Sequence, residues 1–224
     1  MRIVTLHGIN QTDLDYAAPL FKNLGKRPFL PVSISWGADV MDYVQNWRKL
    51  FLPRHFHWNP IRAFKRRIIR AGHESAVWVS AYDYNRKTIY THILNRLNQA
   101  IDEGAEQFII IGHSLGSVVL VDVLSGAIAA GALNVDRIRA IVTMGSPLYF
   151  WRSPDQLERF IADLAGCRWI NLYDVDDPVA GQLAGLGRVA DVEVHTGGLF
   201  SSHCNYWNSR EVARIVGGLL KSGV

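Results

Sequence analysis

Apolar positions along the chain fall into two alternating rhythms. Arg2–Leu6 is a short β-branched run that ends at His7-Gly8, and Gln107–Gly112 carries Phe-Ile-Ile-Ile without a polar break. Unbroken runs this short suit strands buried on both faces. Pro31–Trp36 sets Val32, Ile34 and Trp36 at period two and stops at Gly37; Ile138–Met144, Arg168–Tyr173 and Val189–His195 complete the predicted strands. Between them lie stretches of helical period. Asn85–Glu103 puts Ile89, Ile93, Leu97 and Ile101 on one helical face, with Gly104 as its stop. Pro19–Leu24, Leu115–Ala130, Pro154–Ala165 and Ser209–Leu220 are the other predicted helices, while Val77–Tyr82 reads equally as strand or loop. Alternation of this kind argues for an α/β fold with a parallel sheet covered on both faces.

Composition narrows the class. The 224 residues suit one α/β domain, and 49% hydrophobic with 20% charged residues excludes disordered, collagen-like and coiled-coil chains. No apolar run approaches the ~18 residues of a membrane span. The chain passes from Met1 straight into Ile3-Val4-Thr5-Leu6 with no secretory h-region, so a cytoplasmic setting is expected. Cys167 and Cys204 are too few for a disulfide framework and lack metal-ligand spacing; no metal site is expected. The net charge of +4 is uneven. Between Gly37 and Ser75 eight basic residues (Arg48, Lys49, Arg54, Arg62, Lys65, Arg66, Arg67, Arg70) face three acids (Asp39, Asp42, Glu74), so the whole basic excess is local.

Chemistry concentrates at Gly112-His113-Ser114-Leu115-Gly116, which fits G-x-S-x-G between a predicted strand and a predicted helix. Such a turn strains the serine backbone and exposes its hydroxyl at a helix N-terminus, where developing negative charge is favoured. A serine hydroxyl needs a base, itself oriented by a carboxylate. Chain order Ser, acid, His is available: Asp174-Val175-Asp176-Asp177-Pro178 follows one strand, and Ser202-His203-Cys204 lies on a loop after the last. Asp177 is the first choice for the acid, Asp176 the second and Asp174 the third. His203 is the base, and His195, at a strand end, is its competitor. His113 is expected to point away from the serine as a packing or hydrogen-bonding residue, and His55 and His57 sit in the basic stretch. The amide of Leu115 is expected to supply one oxyanion donor and that of Ile9, in the turn His7-Gly8-Ile9-Asn10, the other, with the Gly8 amide as its alternative and with His7 and Gly8 lining the substrate.

Together, His7-Gly8, Gly-His-Ser-Leu-Gly-Ser at 112–117, Thr-Met-Gly-Ser-Pro-Leu at 143–148, Asp-Asp-Pro-Val at 176–179 and Ser-His-x-x-Tyr-Trp at 202–207 resemble the α/β-hydrolase serine esterases and lipases, in that family's order and over nearly the whole chain. The resemblance implies a three-layer α/β/α fold, a Ser-His-Asp triad, an acyl-enzyme intermediate and no cofactor. The chain opens on the strand that carries the oxyanion turn, so the family's first two antiparallel strands are expected to be lacking and a mostly parallel sheet of about six strands is expected. The expected activity is carboxylic ester hydrolysis; thioesterase, phospholipase or another acyl hydrolase on the same triad, and a non-catalytic binding protein of this fold, are the alternatives.

The insertion at about 38–75 departs from the family. Its basic residues interleave with Trp36, Trp47, Phe51, Phe56, Trp58 and Phe64, and Asp39–Phe51 and Ile61–Ala71 have helical spacing. A lid or acyl-binding wall, a helical pair packed on the domain with snorkelling basic stems, and phosphate contacts to nucleic acid are the three readings. No nucleic-acid motif is recognised in the stretch, so the expected partners are a small-molecule or lipid ester and, through residues 48–70, an anionic surface.

Overall fold

The computed structural model describes residues 1–8, 14–26, 29–37, 80, 82–83, 85–100, 103, 107–164, 166–183, 185–198 and 201–221. The insertion at 38–75, with the helices read within it, and Ile9, expected to give the second oxyanion donor, lie outside the described residues.

Six strands form one sheet: β1 (Arg2–Leu6), β2 (Leu30–Ile34), β3 (Phe108–His113), β4 (Ile138–Met144), β5 (Arg168–Tyr173) and β6 (Val189–Glu193). Their spatial order is β2-β1-β3-β4-β5-β6, and every neighbouring pair is parallel. The main helices are α1 (Ala18–Leu24), α2 (85–100), α3 (Leu115–Ala129), α4 (Pro154–Asp163) and α5 (Arg210–Lys221).

The unbroken apolar runs follow from burial on two faces. Ile109 and Ile111 of β3 join Ile3, Val142 and Met144 in a core closed by Leu20 and Leu24 of α1 and by Val212, Val216 and Leu219 of α5. Phe108 and Ile110 point the other way, with Val4, Leu6 and Ile141, into a core closed by Ile89, Ile93 and Leu97 of α2, by α3, and by Leu157 and Phe160 of α4. Each fully buried Ile or Leu contributes about 1.5–3 kcal/mol, so a register slip of one residue, which exchanges the two faces, gains nothing and loses fit.

A chain of polar side chains crosses the sheet and is paired within it. Thr143 donates to Asn171 Oδ1 (2.8 Å), Asn171 Nδ2 donates to Asp191 Oδ1 (2.7 Å), and Trp169 Nε1 donates to Thr143 Oγ1 (3.1 Å), which ties β4, β5 and β6 across their ladders. α4 starts with a capping box, Ser153 with Gln156, and Pro154 at its first turn.

Three expectations shift. Trp36 lies beyond the end of β2, yet it is fully buried because its ring stacks on His7. β6 stops at Glu193, two residues short of His195. The predicted loop around His203 is a helical turn, Ser202–Asn205, running into a 3₁₀ turn at Tyr206–Asn208. Among the described residues no helix is long and apolar enough to cross a membrane.

Candidate active site

Ser114 sits between β3 and α3 with φ 54° and ψ −133°, the one non-glycine residue at positive φ among those described. Such a backbone costs about 1–3 kcal/mol and persists only where its surroundings impose it. Here they do. Ser114 N–H donates to Met144 O (3.0 Å), and its carbonyl accepts from Ser117 N (2.9 Å) and Ser117 Oγ (2.6 Å). Close packing helps as well: a Cβ on Gly8 would stand 2.6 Å from Ser114 Cβ, and one on Gly116 would stand 2.1 Å from His7 O. Leu115 is the first residue of α3, so its N–H has no acceptor within the helix.

The Ser202–Asn205 turn carries His203 to the serine. His203 Nε2 lies 2.8 Å from Ser114 Oγ, and Nδ1 lies 3.0 and 2.9 Å from the two oxygens of Asp177. For a neutral ring facing a carboxylate, Nδ1–H donates to Asp177 and Nε2 accepts from the Ser114 hydroxyl. Asp177 stands four residues past β5, and its Oδ1 also accepts from Val179 N (2.9 Å). Burial pushes its carboxyl up, but the His203 ring, the Val179 N–H and the Tyr206 hydroxyl outweigh that and hold it below the ordinary carboxylate value. Its side chain has no exposed surface, whereas 24% of the His203 side chain is accessible. The pair thus has a dry end at the acid and an open end at the serine.

The other two aspartates face elsewhere. Asp176 is exposed. Asp174 is buried and accepts from Asp176 N (2.9 Å), Thr196 N (2.6 Å) and Thr196 Oγ1 (2.8 Å), so it joins the loop after β5 to the loop after β6. His195 is exposed, with its own N–H on Glu211 Oε2 (3.1 Å).

Two further histidines surround the serine without reaching it. His113 Nε2–H donates to His203 O (2.8 Å), and its ring lies 5.1 Å from that of His203. Burial, with the His203 ring close by, draws its pKa down to about 3, so it is a neutral prop against His203. His7, expected to line the substrate, is fully buried instead. Its Nδ1–H donates to Gly8 O, its Nε2 accepts from Trp36 N (3.1 Å) and Gly37 N (3.3 Å), and Trp36 Nε1 donates to His7 O (3.0 Å). With both nitrogens engaged and burial drawing its pKa to about 4, His7 shapes the turn and presents no surface to a ligand. Gly8, by contrast, lies against Ser114.

The turn after β4 escaped residue-level reading. Gly145 has φ 55°, and a Cβ there would stand 2.9 Å from Asp177 Oδ2 and 3.2 Å from His203 Nδ1. The residue therefore has to be glycine on two counts, conformation and space. Tyr206 packs on the same spot and accepts from Asp174 N (2.8 Å). Gly-Ser-Pro-Leu at a strand end was the available signal, but what the turn touches is set by β5 and by the last loop. Among the described residues no group of three His, Cys, Asp or Glu side chains could hold a metal ion.

No family model matches the chain, and no curated protein matches its sequence. Among solved structures the chain is similar to one described as a putative thioesterase from Silicibacter sp. TM1040. The identity is 13%, the TM-score 0.52, and the match covers 99% of this chain and 76% of that one. At that identity the likeness speaks to the fold, a parallel α/β sheet flanked by helices.

Proposed function

We propose that this chain is a serine hydrolase of the α/β-hydrolase type that cleaves carboxylic esters. One observation carries the reading: the unbroken line from Ser114 Oγ to His203 Nε2 (2.8 Å) and from His203 Nδ1 to both Asp177 oxygens (2.9 and 3.0 Å). In this reading His203 takes the serine proton as Oγ attacks the acyl carbon. The lowered pKa of Asp177 keeps it ionised at neutral pH, so it orients the ring and stabilises the imidazolium. The Leu115 amide, with that of Ile9, holds the oxyanion. The imidazolium returns its proton to the leaving alcohol. Water, deprotonated by His203, then cleaves the acyl-enzyme and regenerates Ser114.

A second reading, thioester cleavage on the same three residues, is favoured by the description of the structural neighbour as a thioesterase. Intact-mass labelling with a fluorophosphonate tests the shared premise. One adduct on the wild type, absent from Ser114→Ala, is expected; a folded wild type that takes no label points to a binding protein instead. Matched oxo- and thioesters of one acyl group then separate the two substrates by kcat/KM.

A further inference from the structure

We infer that Ser117 and Ser146 form a hydroxyl relay that aims the Leu115 N–H at the oxyanion, which makes both of them positioning residues. The inference rests on the reading of Ser114 as nucleophile. Ser117 and Ser146 are fully buried, and neither is needed to fill the triad. Ser117 Oγ lies 2.6 Å from Ser114 O and 2.6 Å from Ser146 Oγ, and Leu148 N lies 3.3 Å from Ser146 Oγ.

Proton counting sets the direction of every link. A carbonyl oxygen only accepts, so Ser117 spends its single proton on Ser114 O. Ser117 Oγ must then accept from Ser146, and Ser146 Oγ accepts in turn from Leu148 N–H. The relay runs one way, from the turn after β4 to the carbonyl of the nucleophile.

Peptide planarity turns that grip into an aim. The carbonyl of Ser114 and the N–H of Leu115 belong to one rigid plane and point in opposite directions. Holding the carbonyl inward against Ser117 therefore points the N–H outward beside Ser114 Oγ, where the oxyanion develops. Hydrogen bonds accepted by the carbonyl also polarise the same amide, and chains of such bonds reinforce one another. The turn that feeds the relay also holds Gly145, whose Cβ position lies 2.9 Å from Asp177 Oδ2 and 3.2 Å from His203 Nδ1. One turn thus braces the acid–base pair on one side and the oxyanion donor on the other.

The experiment compares wild type, Ser117→Ala, Ser146→Ala and the double variant of the full chain. It reads fluorophosphonate labelling per folded molecule, ester kcat and KM, affinity for a matched trifluoromethyl ketone, and thermal midpoint. Misaiming an oxyanion donor costs roughly 10–100-fold. Ser117→Ala should slow labelling and lower kcat by that factor, with KM held within about twofold and ketone affinity lost in proportion. Ser146→Ala leaves the Ser117–Ser114 bond and should lose about 3–10-fold; added to Ser117→Ala it should lose nothing more. Wild-type labelling rates per folded molecule in the single variants overturn the relay, whatever the thermal midpoints do. If Ser117→Ala does not fold, Ser146→Ala decides on the same criterion. A folded wild type that takes no label is a different failure, that of Ser114 as nucleophile.

Discussion

Two histidines at the C-terminal edge of the sheet have opposite surroundings, and the difference lies in what faces their nitrogens. His7, just past β1, gives one nitrogen to Gly8 O and the other to the N–H groups of Trp36 and Gly37, while its ring stacks on Trp36 at 5.3 Å. His203, after β6, meets a carboxylate with one nitrogen and a serine hydroxyl with the other, and part of it reaches solvent. Backbone partners on both sides fix a tautomer and leave no nitrogen for chemistry. A carboxylate on one side fixes the same tautomer and leaves Nε2 to accept a proton. Position at the sheet edge is common to both, so it is the partners that separate a buried prop from the ring we propose as the base.

The largest test of that contrast exchanges the partner of His203. Asp177→Asn should lower kcat by about 10³–10⁴-fold by forcing the wrong tautomer, while Asp176→Asn, at an exposed side chain, stays within about twofold. Steady-state ester kinetics on the two variants decide the acid, and equal losses would remove Asp177 from its role. Next comes the turn beside His7. Gly8→Ala places a Cβ 2.6 Å from Ser114 Cβ and 3.1 Å from its Oγ. Fluorophosphonate labelling should slow by about 100-fold, with a loss of about 1–3 kcal/mol in urea unfolding.

The smallest effect is in pH and concerns the props. His7 is drawn from 6.5 to about 4 and His113 from 6.5 to about 3, both by burial, so both are neutral in the folded chain where the unfolded chain is protonated. The unfolded state then binds more protons, and stability rises with pH. The contribution is complete above about pH 6.5 and is lost as pH falls from 6.5 toward 4 and 3, by roughly 1 kcal/mol per pH unit for each ring. Urea midpoints at pH 7 and pH 5 should show the loss. His7→Asn should be less stable at pH 7 and show a shallower slope; an unchanged slope would mean the ring is not buried neutral.

Much of the architecture was legible in the chain. The runs at Arg2–Leu6, Ile138–Met144 and Arg168–Tyr173 coincide with β1, β4 and β5, because strands covered on both faces are dominated by apolar and β-branched residues, with polar ones such as Thr143 and Asn171 paired to each other. The elbow was legible too, since its glycines and its strand–turn–helix setting are local. The third shift is instructive: the stretch read as a loop around His203 is helical, for a turn of four residues is too short to show a period. Period two places Trp36 on the strand, yet its burial rests on His7, 29 residues earlier, and on Tyr82.

The sequence by itself determined the alternation of strands and helices, the strained serine between two glycines, and the acids and histidines available after the last strands, because all of these follow from periodicity and local sterics. Only the tertiary structure decided which aspartate turns to His203, that His7 is a buried prop, and that Gly145, Ser146 and Ser117 lie beneath the site. Those outcomes depend on contacts between residues 26–89 positions apart along the chain, such as Asp177 with His203, Ser117 with Ser146 and Ser114 with His203. No local rule specifies a partner at that distance; the sheet does, by bringing the C-terminal ends of its strands to one edge.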